Sequence, residues 1–245
     1  MSIIVMPAVI ARRRIPIGGK YIAIGHYTAP YFTLLDHTTP GSVSLAATYT
    51  LAGNGRGIDF TPDGKYIAVA HATTPFFTLL NHTTPGSVSL AATYTLSGTG
   101  NSTDFTPDGK YIAVLSIATP FFTLLNHTTP GSVSLAATYT LSGAGVGLGT
   151  DFSPDGKYIG VAHDTSPYFT LLNHTTPGSV SKAATYTLPG TGYGTDFSPD
   201  GKYIAVAHDT SPYFTLLDHT TPGRVSKAAT YTLPGVGVGM GFSPI

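Results

Sequence analysis

Asp196-Phe197-Ser198-Pro199-Asp200-Gly201-Lys202-Tyr203-Ile204-Ala205-Val206-Ala207-His208 is the stretch that decides the fold. Pro-Asp-Gly-Lys is turn chemistry: proline presets φ, aspartate bonds the local backbone, and glycine accepts a left-handed φ. The turn joins a short strand ending in Asp-Phe-Ser-Pro to a second strand, 202–208. Tyr, Ile and Val in that strand suit a pleated, half-buried surface. Further out, 209–212 is another turn and 213–219 a third strand. Thr-Thr-Pro-Gly then turns the chain into a fourth strand, 225–233.

The whole unit recurs. Gly-Lys-Tyr-Ile returns with lysines at 20, 65, 110, 157 and 202, spaced by 45, 45, 47 and 45 residues. Phe-Thr-Leu-Leu starts at Phe32, Phe77, Phe122, Phe169 and Phe214, and His-Thr-Thr-Pro-Gly at His37, His82, His127, His174 and His219. No stretch carries a helical apolar period. Four short strands in each repeat of this length are the pattern of a propeller blade, whose two apolar faces are covered by its ring neighbours. A β-arch solenoid, the competing architecture, has shorter repeats and needs caps. The expected fold is therefore an all-β, five-bladed β-propeller with four antiparallel strands per blade. Repeats start near 19, 59, 104, 151 and 196, within a single domain, 19–245, behind an N-terminal arm, 1–18.

Ring closure has two readings. Gly241-Phe242-Ser243-Pro244 repeats the first-strand motif, so 236–245 is expected to complete the first blade and remove open sheet edges. Alternatively, 14–17 supplies that strand.

Composition narrows the function. The chain has 245 residues, 12 Lys+Arg against 12 Asp+Glu, and no Cys. Every acid is Asp. A neutral chain has no global field for nucleic acid or an anionic membrane. Without cysteine there are no disulfides or thiolate metal sites. At the N-terminus, Arg12-Arg13-Arg14 follows the apolar stretch 2–10, the reverse of a secretory signal, and that stretch is too short to span a bilayer as helix. The expectation is no signal peptide and no membrane insertion.

Residues 197–208, Phe-Ser-Pro-Asp-Gly-Lys-Tyr-Ile-Ala-Val-Ala-His, resemble WD-repeat and YVTN-type propeller blades, although the Trp-Asp pair of WD repeats is absent. Ala207-His208-Asp209-Thr210-Ser211-Pro212-Tyr213 and Gly53-Asn54-Gly55 are also similar to repeats of phage and prophage virion or tail proteins. That resemblance implies a virion location, or otherwise a cytoplasmic one. It also implies partners among other virion or tail proteins, reached through the arm, or a host-surface glycan.

In blades of this type the turns between strands 1–2 and 3–4 share one face, and here they are nearly constant. The opposite face varies: its 4–1 loops differ, and His26, His71, His163 and His208 have Ser116 as their counterpart. Loops on a rigid scaffold commonly carry recognition. Tyr27, Asn54, Arg56, His71, Asn101, His163, Tyr193 and His208 are the candidate ligand-binding residues, because rings and planar polar groups suit sugars. Asp59, Asp104, Asp151 and Asp196 precede the first-strand phenylalanine and form a weak candidate ring for a hard cation. The five His-Thr-Thr-Pro motifs sit in separate blades and read as turns. No nucleophile elbow, phosphate loop or zinc helix is present. The expectation is a non-enzymatic binding or structural module with no cofactor, probing a host or particle partner through its variable face. The alternatives are a lectin-like adhesin, an intracellular interaction scaffold and a metal-dependent hydrolase.

Overall fold

The computed structural model describes residues 20–142 and 147–243. Among these there are nineteen strands and no helix, in five antiparallel sheets that follow one another along the chain. The chain is an all-β protein of five propeller blades. The first blade holds β1 (Tyr21–Gly25), β2 (Tyr31–Asp36) and β3 (Ser44–Thr50). The second holds β4 (Gly55–Phe60), β5 (Tyr66–His71), β6 (Phe76–Asn81) and β7 (Ser89–Thr95). The third holds β8 (Gly100–Phe105), β9 (Tyr111–Ser116), β10 (Phe121–Asn126) and β11 (Ser134–Thr140). The fourth holds β12 (Gly147–Phe152), β13 (Tyr158–His163), β14 (Tyr168–Asn173) and β15 (Ser181–Thr187). The fifth holds β16 (Gly192–Phe197), β17 (Tyr203–His208), β18 (Phe214–Asp218) and β19 (Ser226–Thr230).

The turns form as their residues require. Gly64, Gly109, Gly156 and Gly201 of Pro-Asp-Gly-Lys all sit at φ near +72°. The aspartate closes each turn: Asp63 Oδ1 accepts from Thr61 Oγ1 at 2.8 Å and from the Lys65 amide at 3.1 Å. At the other end of the third strand, His82 Nδ1 donates to the Gly64 carbonyl at 2.7 Å, tying the 3–4 turn to the 1–2 turn. His127, His174 and His219 repeat this bond. The His-Thr-Thr-Pro motifs are turn locks.

Blades pack face to face. Phe32 and Leu34 of the first blade meet Ile67, Val69 and Leu80 of the second, all fully or almost fully buried. The same contact repeats at the next three junctions. Each such side chain contributes about 1.5–3 kcal/mol on burial. In the first four blades the tyrosine of Gly-Lys-Tyr-Ile stands edge-on to the next blade's turn histidine, as in Tyr111–His174 with centroids 5.1 Å apart.

The expected arm, 1–18, lies outside the described residues. The first sheet contains three strands, and among the described residues no ladder joins β1 to the segment 236–243. That segment takes the place of an axis strand beside the fifth blade: the Phe242 amide donates to Asp196 Oδ2 at 2.6 Å, as the Phe197 amide does to Asp151.

Candidate functional site at the channel mouth

The first strand of each blade lies against the first strand of the next. A Cβ on Gly57 would come within 2.6 Å of the Ser102 Cα, and one on Gly149 within 2.6 Å of the Tyr193 carbonyl oxygen. These strands therefore line the axis. Each leaves one edge of backbone N–H groups without a ladder partner. Asp59, Asp104 and Asp151 fill that need: their Oδ2 atoms accept the amides of Phe105, Phe152 and Phe197 at 2.8, 2.8 and 2.7 Å. The expected cation ring is corrected accordingly. These carboxylates staple blade to blade, because an unmet amide at a buried sheet edge is costly. Among the described residues, no three His or Asp side chains gather as a metal site requires.

The histidines proposed as ligand contacts are also corrected. His71, His163 and His208 are fully buried, and each Nε2 lies 3.0 Å from a threonine hydroxyl of the neighbouring strand: Thr78, Thr170 and Thr215. His208 Nδ1 donates to the Thr210 carbonyl at 2.7 Å, so its Nε2 accepts from Thr215. Burial pushes His71 down to about 4 and lowers His163 and His208. These rings are neutral, internal struts. Tyr27 lies exposed on the first blade's 2–3 turn. Asn54 is half-buried, and its carbonyl accepts the Ala72 amide at 3.0 Å, joining a 4–1 loop to a 2–3 turn.

The remaining candidates share a register. Arg56, Asn101 and Tyr193 each occupy the second position of an axis strand, in β4, β8 and β16. Leu148 holds that position in β12. Arg56 Nη1 donates to Asn101 Oδ1 at 2.8 Å across the junction of two blades. Arg56 Nε is buried and has no hydrogen-bond partner among the described residues. A guanidinium held on one side by an amide, with a buried donor to spare, is a ready partner for an anionic or ester oxygen.

On the fourth and fifth blades the same end carries carboxylates. Asp164 and Asp209 begin the 2–3 turns, and the Asp209 amide donates to the Thr191 carbonyl at 3.1 Å, two residues before Tyr193. Burial raises the Tyr193 phenol, with the charges of Asp209 and then Asp164 adding to it. Tyr193 therefore stays protonated, a donor beside two acids. Sequence reasoning missed these acids as functional groups. The signal was present: positions 164 and 209 are Asp, whereas their counterparts are Tyr27, Ala72 and Ile117.

No family model matches the chain, and no curated protein matches it in sequence. Solved structures do resemble it. A candidate 6-phosphogluconolactonase of Bacteroides fragilis superposes with a TM-score of 0.77 at 15% identity, over 92% of this chain and 71% of that one. One from Bacteroides uniformis gives 0.75 at 15%, over 87% and 68%. The periplasmic gluconolactonase of Pseudomonas aeruginosa gives 0.76 at 16%, over 91% and 72%. The expectations of a phage virion or tail component and of a non-enzyme are corrected here. These three solved propellers are named as lactonases, and none of them is a particle protein. At such identities the likeness establishes the fold alone: the chain is a β-propeller of five blades.

Proposed function

We propose that the chain hydrolyses a sugar lactone carrying an anionic group, bound at the channel mouth on blades of the WD and YVTN type. The observation that carries this reading is the Arg56–Asn101 pair, with its buried, unpartnered Nε, on the axis of a lactonase-like fold. Lactone opening needs three services: a base for the attacking water, donors for the developing oxyanion or an anionic substituent, and a proton for the leaving ring oxygen. Arg56 and Asn101 supply the donors. Asp209, with Asp164 beside it, takes the proton from water as the water oxygen bonds the carbonyl carbon. Tyr193, held protonated, gives its proton to the ring oxygen as the carbon–oxygen bond breaks. The product is the open hydroxy acid, and the proton on Asp209 returns to Tyr193 through solvent. No metal enters this scheme.

The test is the rate of opening of glucono-1,5-lactone and of its 6-phosphate ester, followed as acid release above the spontaneous rate. The reading expects catalysis of both and preference for the phosphorylated lactone. Rates equal to those with heat-denatured protein would refute it.

A further inference from the structure

Within near-identical repeats, one position of the axis strands changes every time. Gly55-Arg56-Gly57, Gly100-Asn101-Ser102, Gly147-Leu148-Gly149 and Gly192-Tyr193-Gly194 open those strands, and Gly237-Val238-Gly239 repeats the pattern. The middle residue is the one the ladder passes over. Gly100 pairs with Ser116 and Ser102 with Leu115, which leaves Asn101 as the extra residue of a bulge. Leu148 and Tyr193 are skipped in the same way, and in the second blade the shift falls between Gly55 and Ile58. A bulge of this kind re-aims a side chain that a regular ladder would hold to one face of the sheet.

Val238 belongs to the same set. A Cβ on Gly237 would meet the Tyr213 carbonyl oxygen at 2.9 Å and the Ala207 Cβ at 3.0 Å. On Gly192 it would meet the equivalent atoms one blade earlier, the Tyr168 carbonyl oxygen at 2.7 Å and the Ala162 Cβ at 3.1 Å. A Cβ on Gly194 would lie 3.5 Å from the Gly239 Cα, so 237–239 runs directly beside β16. The order about the axis is therefore Arg56, Asn101, Leu148, Tyr193, Val238. Neighbours in this order are within reach of one another, as Arg56 and Asn101 show at 2.8 Å.

One arc of the mouth is a pair of polar donors. The other is apolar, with Leu148 and Val238 at the positions on either side of Tyr193. Arg56 and Asn101 can hold an anionic group. A hydroxyl placed against Leu148 or Val238 would give up water without gaining a hydrogen bond.

We propose that Leu148 and Val238 set the specificity of this mouth, and that its ligand is amphipathic: an anionic group on Arg56 and Asn101, and a hydroxyl-poor ring on the apolar arc. For the reaction, this rests on the lactonase reading above and narrows it: among anionic sugar lactones, the deoxygenated ones are preferred. An apolar wall discriminates only moderately against an added hydroxyl, so the fully hydroxylated lactone remains a substrate, about ten-fold poorer.

The test is calorimetric titration of the full chain with glucose 6-phosphate and with cyclohexylmethyl phosphate, its hydroxyl-free counterpart. Cyclohexylmethyl phosphate is expected to bind at least about ten-fold tighter. Leu148→Asn and Val238→Asn, each shown to melt as the native chain does, are expected to shrink that ratio about three- to ten-fold. Arg56→Met is expected to weaken both phosphates by a similar factor and to leave their ratio in place. Equal affinities in the native chain, a ratio that neither asparagine variant moves, or no binding of either phosphate would overturn the proposal. Lactone opening is followed in parallel on the 6-phosphates of glucono-1,5-lactone and 2-deoxyglucono-1,5-lactone. The binding preference without lactone opening supports the amphipathic mouth and refutes the reaction alone. Lactone opening without the preference overturns this inference alone.

Discussion

Asp104 Oδ2 accepts the backbone amide of Phe152 at 2.8 Å, a bond between residues 48 apart that crosses from one blade to the next. Asp104 is 6% exposed and Phe152 4%. Removing the carboxylate leaves an amide at a buried sheet edge without its acceptor. Asp104→Ala is expected to cost about 3 kcal/mol and Asp104→Asn about 1 kcal/mol, since the amide oxygen still accepts. Urea unfolding measures both; an unchanged midpoint for the alanine variant would remove the staple from the account.

Glycine at the start of the axis strands is a matter of space. A Cβ on Gly192 would stand 2.7 Å from the Tyr168 carbonyl oxygen and 3.1 Å from the Ala162 Cβ. Backbone and a core alanine cannot swing aside. Gly192→Ala is expected to destabilise by about 1–3 kcal/mol. Gly235→Ala, where nothing lies within 4 Å, is the matched control and should be neutral. Equal thermal shifts for the two would contradict the packing described.

The buried histidines make the fold acid-sensitive. Burial holds His71 at about 4, against an ordinary 6.5, with the Thr73 backbone opposing. The unfolded chain takes up a proton near 6.5 while the native ring stays neutral, so stability is full above that pH and falls as pH drops toward about 4. For His71 alone the loss reaches about 3 kcal/mol. His163 and His208, lowered in the same direction, add to it. Below that range the turn aspartates contribute. Asp200 is held down by the Ser198 hydroxyl first and the Lys202 amide next, so its share disappears as pH falls through the carboxylate range. The third blade shows how to remove the first phase: Ser116 stands at the histidine position and donates to the Ala118 carbonyl at 3.0 Å. His71→Ser should flatten the slope between pH 6.5 and 4 in denaturant titrations. An unchanged slope would mean that His71 is not the titrating group.

The fold was legible because its information is local. Pro-Asp-Gly-Lys and Thr-Thr-Pro-Gly carry their own dihedral demands, and Tyr203–His208 reads as a strand from propensity alone. What lay beyond the sequence was contact between blades. Asp59 and Asp104 look like a ring of free carboxylates in one dimension; only the close approach of successive axis strands shows that each faces a neighbour's amide. His71 and Thr78 stand seven residues apart across a hairpin, and His163–Thr170 and His208–Thr215 repeat the spacing, a signal of an internal pair that was there to be used. Arg56, Asn101 and Tyr193 stand out in the sequence as departures from the repeat. Their shared register on the axis strands required the ladder. Asp164 and Asp209 were visible as breaks in the repeat, yet lay among turn residues whose aspartates elsewhere serve only the backbone.

The carboxylates and the phenol give the proposed reaction a second handle. Tyr193→Phe removes the proton donor and leaves the ring in place. It is expected to lower kcat about 100-fold with little change in KM, and Asp209→Asn to lower kcat by a similar factor. Steady-state kinetics on the same lactone separate the two parameters. A change confined to KM would assign both residues to binding.

The central claim is that the Arg56 guanidinium at the channel mouth engages substrate. The measurement that bears on it most directly is kcat/KM for 6-phosphoglucono-1,5-lactone with the native chain and with Arg56→Met, both shown to melt alike. The account predicts catalysis by the native chain and a loss of about 30- to 100-fold in the variant, the scale of one charged hydrogen-bonding partner. Native protein that opens the lactone no faster than buffer, or a variant as active as the native chain, would contradict it.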